Sequence, residues 1–438
     1  MCGVTALLYL LGVLFFVVGV AASIGLHELG HLIPGKLYNV KVTQYFVGFG
    51  RTIWSRRRGE TEYGVKAIPL GGYVKLVGML PPEPGEDPST IRSRPTGMFA
   101  QLVDDARTAE YEHVGPHDHD RLFYKLPWWK RVVVMGSGVA TNLLLAVMLF
   151  SIAFMGIGVI TASTTVGKVS VCVKVVKADA TPGKCTSRDQ ETPASRAGLR
   201  PGDRITSFNG TAITSYGELQ TLIRANGGSA AAIGIVRSGK ALVLHTDTAI
   251  NSVPNLDDPD KSVRAGFLGI EPTLVRQHQS FGYVISNMVD ATRETLKTIG
   301  ALPVKLYHVA RASVGLEKRS VDSPMSVVGA GRVAGSLASD TQNSVANRIA
   351  ELLSLLAGLN LFLGLINLVP LPPFDGGQIA TTLYEAVRRR IARLLGRPDP
   401  GGVDSAKLLP LTYAMAMVIL IVSVILIYAD IVAPVRVT

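Results

Sequence analysis

Two histidines four residues apart, with a glutamate beside the first, are the residues of this chain best suited to chemistry: His27-Glu28-Leu29-Gly30-His31. On an α-helix, positions i and i+4 share one face, so both imidazoles can hold a single cation. Glu28, one residue beyond His27, reaches the attacking water without itself being a ligand. Catalytic zinc keeps three protein donors and an open fourth position, so a third donor is needed from elsewhere in the chain. Asp375 is the sole carboxylate in the stretch Asn367 to Gly377 (NLVPLPPFDGG), and beside the histidine pair it is the natural third donor. Two plainer readings compete: an interfacial helix-end aspartate, and an end-of-span histidine cluster solvated by headgroups. The chemistry expected is metal-assisted hydrolysis. Zinc draws the pKa of water toward about 7 and polarises a scissile carbonyl. Glu28 takes the proton and delivers it to the leaving amine.

The elements that must position these residues are membrane spans. Of 438 residues, 47% are hydrophobic and only 18% are charged. A soluble domain carries nearer a quarter charged residues, so the composition excludes a soluble enzyme. Uncharged runs cover Met1 to Leu26, Val132 to Gly167, Leu352 to Phe374 and Leu408 to Ala429. Each exceeds the roughly 20 residues a helix needs to cross the hydrocarbon. The first lacks a basic n-region and outlasts a usual h-region, so it reads as a retained span and not a cleaved signal peptide. The net charge of +11 fits inner-leaflet lipid contact and not nucleic acid. Basic residues flank the two loops around residues 36–131 and 388–397 while the termini carry almost none. The positive-inside rule therefore predicts both loops in the cytoplasm and both termini outside. The segment between spans two and three is then extracytoplasmic. Its Cys172 and Cys185 form either a disulfide or two unpaired thiols.

Prolines and glycines around Asn367–Gly377 break the third span, and unwound backbone at that depth needs protein or water beside it. Residues 40–78 alternate and are rich in β-branched and aromatic side chains, predicting a hairpin or small sheet with a basic turn at Arg56–Arg58. A strand edge there can accept an added extended strand by β-augmentation. The plainer reading is a hairpin that merely packs on the spans. Residues 81–120 have turn composition, and their His113, His117 and His119 read as an exposed histidine-rich loop and not a metal site.

HELGH at the end of the first span, GFG at 48–50, PLGGYVKL at 69–76 and NLVPLPPFDGG together resemble the site-2 protease family of intramembrane zinc metalloproteases, in its bacterial single-PDZ branch. The resemblance covers most of the chain. It implies one Zn2+ on His27, His31 and Asp375, and Glu28 as catalytic acid/base. It assigns Asn367 to substrate positioning or oxyanion stabilisation. It also implies that Gly48, Phe49, Gly50, Gly71, Gly72 and Tyr73 belong to a substrate-binding sheet dipping toward the site. Family members often open the second span with Gly-Pro-x-x-Asn; here the run is Gly138-Val139-Ala140-Thr141-Asn142, without the proline.

The expected fold is a polytopic α-helical membrane protein with about four transmembrane helices, a cytoplasmic membrane-associated β-sheet and one extracytoplasmic PDZ domain. The expected divisions are a first span with the metal motif (1–35), a membrane-reentrant hairpin or sheet (36–80), a cytoplasmic loop (81–130) and a second span (131–162). A PDZ domain (166–250) follows, carried by ETPASRAGLRPGDRITSFNG and the helix and hairpin after it. An extracytoplasmic linker with an amphipathic helix (251–345), a third span with the aspartate (346–377), a basic cytoplasmic loop (378–405) and a fourth span (406–433) complete the chain. The resemblance implies cleavage within transmembrane segments of single-pass proteins, such as anti-sigma factors, in the cytoplasmic membrane after an upstream site-1-type protease has trimmed them. A competing reading is a non-catalytic PDZ-containing membrane scaffold.

Overall fold

A computed structural model describes residues 2–80, 114–115, 118–173, 185, 189–254, 262–317, 319–320 and 323–434. Most of the 81–120 segment, with His113 and His117, lies outside the described residues; His119 sits in a short 3-10 turn. The opening apolar run has no breaker before Pro34 and forms one helix, α1 (Cys2–Leu37). Among the described residues four helical stretches are long and apolar enough to cross a membrane: Gly3–Leu37, Trp128–Ile157, Val345–Asn367 and Ser405–Val432.

Two strands follow α1: β1 (Val42–Arg58) and β2 (Thr61–Leu76). The turn falls at Gly59-Glu60, with Arg58 paired to Thr61, so Arg56–Arg58 end a strand and do not form the turn themselves. Both strands bend, and the stretch Gln44 to Val47 is paired twice, with Gly72 to Lys75 on one side and Glu62 to Val65 on the other. The sheet is tied to α1 by the Tyr45 hydroxyl, which donates to the Gly25 carbonyl at 2.8 Å. Beneath it Leu32, Val40, Val42, Leu76, Phe123, Val134 and Met135 form a buried cluster.

The second span is α2 (Trp128–Ser151), which widens into a π turn over Ile152–Ile157 and stops at Gly158. Gly158 has φ +84, a value only glycine adopts cheaply, and the β-branched run after it turns extended. The helix thus ends five residues before the expected boundary at 162. Strand β3 (Val159–Val169) opens a compact unit, Gly158–His278. It contains α3 (Pro193–Arg196), β4 (Arg204–Phe208), β5 (Thr211–Ala212), α4 (Tyr216–Ala225), β6 (Ala230–Arg237), β7 (Lys240–Asp247), β8 (Ala249–Pro254), β9 (Ser262–Phe267) and β10 (Ile270–Gln277). The main sheet runs β10-β3-β4-β6-β7, and Leu219 and Ile223 of α4 pack on it with Ile205, Phe208, Ile233 and Ile235. Helix α4 starts in a capping box between Ser215 and Glu218. Cys172 and Cys185 are joined by a disulfide.

The expected boundaries 166–250 and 251–345 need correction here. Strand β3 would expose an unpaired edge unless a partner covered it, and β10 supplies that partner, with Ile270 opposite Val169. Residues 251–254 and 262–278 therefore belong to the compact unit and are not linker. Among the described residues beyond it, up to 345, lie three helices, not one: α5 (Phe281–Gly300), α6 (Leu302–Ser313) and α7 (Val327–Ser339). Helix α7 is lined with small residues and packs on α1, where a Cβ at Gly12 would sit 2.5 Å from the Ala334 carbonyl oxygen. The third span is α8 (Val345–Asn367), and α9 (Asp375–Leu394) fills most of the expected loop at 378–405. Ile379, Leu383, Val387 and Ile391 recur at helical spacing there, which outweighs the charge of the intervening arginines. The fourth span is α10 (Leu409–Val432).

An ion pair on the buried Asp203 carboxylate gives the stability of the Gly158–His278 unit a pH dependence. Arg237 donates to both carboxylate oxygens of Asp203 at 2.7 Å, and the Arg200 amide donates at 2.8 Å. The guanidinium holds the Asp203 carboxyl below its usual range. A depressed carboxyl stabilises the fold above its unfolded pKa of about 3.9, and that stabilisation disappears as pH falls through the folded value. Asp203→Asn should therefore lower the urea concentration at which residues 158–278 of the full chain lose protease resistance at pH 7. The gap from the unaltered chain should close below about pH 4.

Candidate metal centre

His27 and His31 stand one helical turn apart on α1, with Nε2 atoms 3.2 Å apart and rings edge to face. His31 is 6% exposed, and its Nδ1 lies 2.8 Å from the Val134 carbonyl oxygen on α2. A carbonyl only accepts, so Nδ1 carries the proton and Nε2 presents a bare lone pair toward His27. This approach requires α1 and α2 to cross closely. A Cβ at Gly138 would lie 2.3 Å from His31 Nε2 and 2.8 Å from His27 Cε1. Ser137 Oγ bridges the same crossing by donating to the Gly30 carbonyl at 2.7 Å.

The third residue arrives from the other end of the chain. Helix α8 stops at Asn367, the chain turns through Leu368–Phe374, and Asp375 opens α9. Asp375 Oδ2 lies 3.3 Å from Nε2 of His27 and 3.3 Å from Nε2 of His31. That oxygen is buried without a hydrogen-bond partner, as is His27 Nδ1. A carboxylate oxygen and two ring nitrogens gathered this closely form a donor set that a cation among them would satisfy. Tetrahedral donors at roughly 2.0–2.1 Å from zinc are about 3.3 Å apart. The observed separations of 3.2, 3.3 and 3.3 Å therefore fit one zinc ion, and the donor set is of the type that leaves a position open.

Glu28 lies within electrostatic reach of both imidazoles and of Asp375, beside the backbone amide of Val74 on β2. Gly72 packs directly on it, since a Cβ there would be 2.9 Å from Glu28 Cγ. Tyr73 stacks between Phe46 and Phe49, at ring separations of 5.6 and 6.5 Å, and Gly71 abuts the Phe49 ring. Gly72 is thus brought to Glu28, and Gly71, Tyr73 and Phe49 cluster beside it. Gly48 and Gly50 instead face Ile68. Asn367 is half-buried at the end of α8.

Two contributors escape a reading by side-chain type. Val134 acts through its carbonyl, for which no side-chain signal exists. Gly138 stands in a motif visible in the sequence, but its closeness to both imidazoles depends on which helix crosses it.

Comparison with known proteins places this geometry among relatives. The model of peptidase family M50 matches residues 15–395. The chain is 31% identical to the protein named zinc metalloprotease Rip1 of Mycobacterium tuberculosis, over 98% of this chain and 99% of that protein. It is 29% identical to the protein of that name from Mycolicibacterium smegmatis, over 97% and 98% of the two chains. Against metalloprotease MmpA of Caulobacter vibrioides the identity is 26%, over 87% of each chain.

Proposed function

The chain belongs to peptidase family M50, the site-2 protease family of zinc metalloproteases, and from that premise we propose that it hydrolyses peptide bonds inside the transmembrane segments of single-pass membrane proteins. It is a membrane protein, a protease and a zinc enzyme. The observation that carries the finer reading is the convergence, at zinc-like spacing, of His27 and His31 on a helix apolar enough to cross a bilayer with Asp375, which follows a second such helix by eight residues.

In this reading His27 Nε2, His31 Nε2 and an Asp375 oxygen hold the metal. Zinc there supplies Lewis acidity, polarising the scissile carbonyl and making water acidic enough to attack near neutral pH. Glu28 receives the proton from water and returns it to the departing nitrogen. The Asn367 amide offers a donor to the developing oxyanion. A substrate helix must be opened to an extended strand before it reaches Glu28, and its freed backbone groups need partners in lipid. The edge from Gly71 to Leu76 of β2, which runs past Glu28, offers them by strand addition.

The unit Gly158–His278 we read as a PDZ domain, on the support of its capped helix α4 and the antiparallel β6–β7 hairpin. We assign it to selecting substrates already trimmed by a site-1-type protease, with anti-sigma factors or similar regulators as the substrate class. The cytoplasmic membrane, with the PDZ unit and both termini outside, is the arrangement that the basic loops favour. A scaffold without chemistry has no use for Glu28.

The purified chain, reconstituted in vesicles with a single-pass model substrate, should cut inside the substrate's membrane segment. A zinc chelator should reduce cleavage to background, and added zinc should restore it. Fragment masses locate the cut. Cuts confined to residues outside the membrane segment, or cleavage indifferent to chelation, would overturn the proposal.

A further inference from the structure

Helix α2 makes two buried contacts within its first two turns, one to a candidate ligand and one to the helix that carries another. Val134 fixes the ring of His31, and Arg131, three residues earlier on the same face, reaches α9. Its guanidinium holds the Glu385 carboxylate with both arms, Nη2 to Oε1 at 2.7 Å and Nη1 to Oε2 at 3.2 Å. Both side chains are buried, 11% and 6% exposed. The Val403 amide also donates to Glu385 Oε2 at 3.2 Å. Burial alone would raise the Glu385 carboxyl, but the Arg131 guanidinium outweighs it and the carboxyl lies below its usual range.

A buried ion pair is a poor source of stability, because desolvating two charges offsets most of their attraction. It is a good source of register. Glu385 and Asp375 lie on one helix, ten residues or about 15 Å apart. A slip of that helix by a single residue moves Asp375 by about 1.5 Å, far beyond the roughly 0.2 Å tolerance of a metal–ligand bond. Apolar contacts along α9 slide at little cost, whereas a two-armed guanidinium–carboxylate contact does not.

We propose that Arg131 and Glu385 are positioning residues that set the register of helix α9 against α2, so that Asp375 meets the histidine pair, of which α2 also orients the His31 ring. This rests on the reading of His27, His31 and Asp375 as the zinc ligands. The N-terminal turns of α2 then act as a bracket, holding a histidine with a carbonyl and the aspartate's helix with a guanidinium.

The test uses the full chain in detergent, measuring zinc affinity by chelator competition and the visible absorption of the cobalt(II)-substituted protein. The double variant Arg131→Met/Glu385→Leu removes both charges and keeps apolar volume, so its thermal midpoint should stay near that of the unaltered chain. Its zinc affinity should fall about tenfold or more, and its cobalt bands should shift as the aspartate withdraws. Glu385→Gln, which keeps the shape and loses the charge, should weaken zinc in the same direction by less. The exchanged pair Arg131→Glu/Glu385→Arg should recover part of the loss. Asp375→Ala should abolish high-affinity zinc binding. If Asp375→Ala loses zinc while the double variant and Glu385→Gln bind it like the unaltered chain with unshifted cobalt bands, the pair is packing only and the proposal fails. If Asp375→Ala keeps full zinc affinity, the ligand reading itself falls.

Discussion

Glu28→Gln should lower the rate of intramembrane cleavage by about two to four orders of magnitude while leaving one zinc per chain. The range is that of a positioned general acid/base, and at 1.36 kcal/mol per tenfold it corresponds to roughly 3–5 kcal/mol of transition-state stabilisation. Glutamine keeps the length and planarity of the side chain, so the close contact with Gly72 is preserved. What it lacks is a site that accepts a proton from water and returns it to nitrogen. Zinc should remain because Glu28 is not among the three donors that converge. The measurement is initial cleavage rate beside metal content on the same preparation. Undiminished cleavage would remove Glu28 from the chemistry; loss of zinc along with activity would make it a ligand instead.

Gly138→Val should lower the chain's zinc affinity about 10–100-fold, and its cleavage rate with it. The first carbon of any side chain at that position would lie 2.3 Å from His31 Nε2 and 2.8 Å from His27 Cε1. No rotamer relieves a clash made by Cβ itself. Either α2 moves away from α1, breaking the contact between His31 Nδ1 and the Val134 carbonyl, or the imidazoles turn aside. Overpacking of this kind costs about 1–3 kcal/mol in stability. Losing the orientation of a ligand costs about 10–100-fold in metal affinity. Gly136 on the same helix provides the control, because a Cβ there would meet nothing within 4 Å. Gly136→Val should therefore keep zinc and most activity, which separates a local clash from a general intolerance of valine in this helix. Equal zinc affinity in both variants would show that the crossing of α1 and α2 is looser than its geometry indicates.

The parts of this fold that were legible from the amino acids are those written in local spacing. His27 and His31 at i and i+4 need only one helix to come together, and the four spans declare themselves by length and apolarity. The aspartate taken alone reads better as an interfacial helix-end residue, and only beside the histidine pair does it become the natural third donor. Non-local pairing was harder to read. Strand β10 finds β3 across the whole intervening unit, and nothing in residues 270–277 announces that partner. Helix α9 was hidden by its own arginines, which drew attention away from the apolar stripe between them. The part played by Gly138 was the least accessible, since a glycine's meaning lies in whatever presses against it.

The last residue of β10, Gln277, is paired with the first of β3, Val159. Entry to and exit from the inserted unit are thus neighbours, separated by about the 4.8 Å spacing of adjacent strands. Such an arrangement makes the insertion a cassette. Its two connecting ends are close enough for a tight turn to join them, so excising the cassette leaves a gap that a few residues can span.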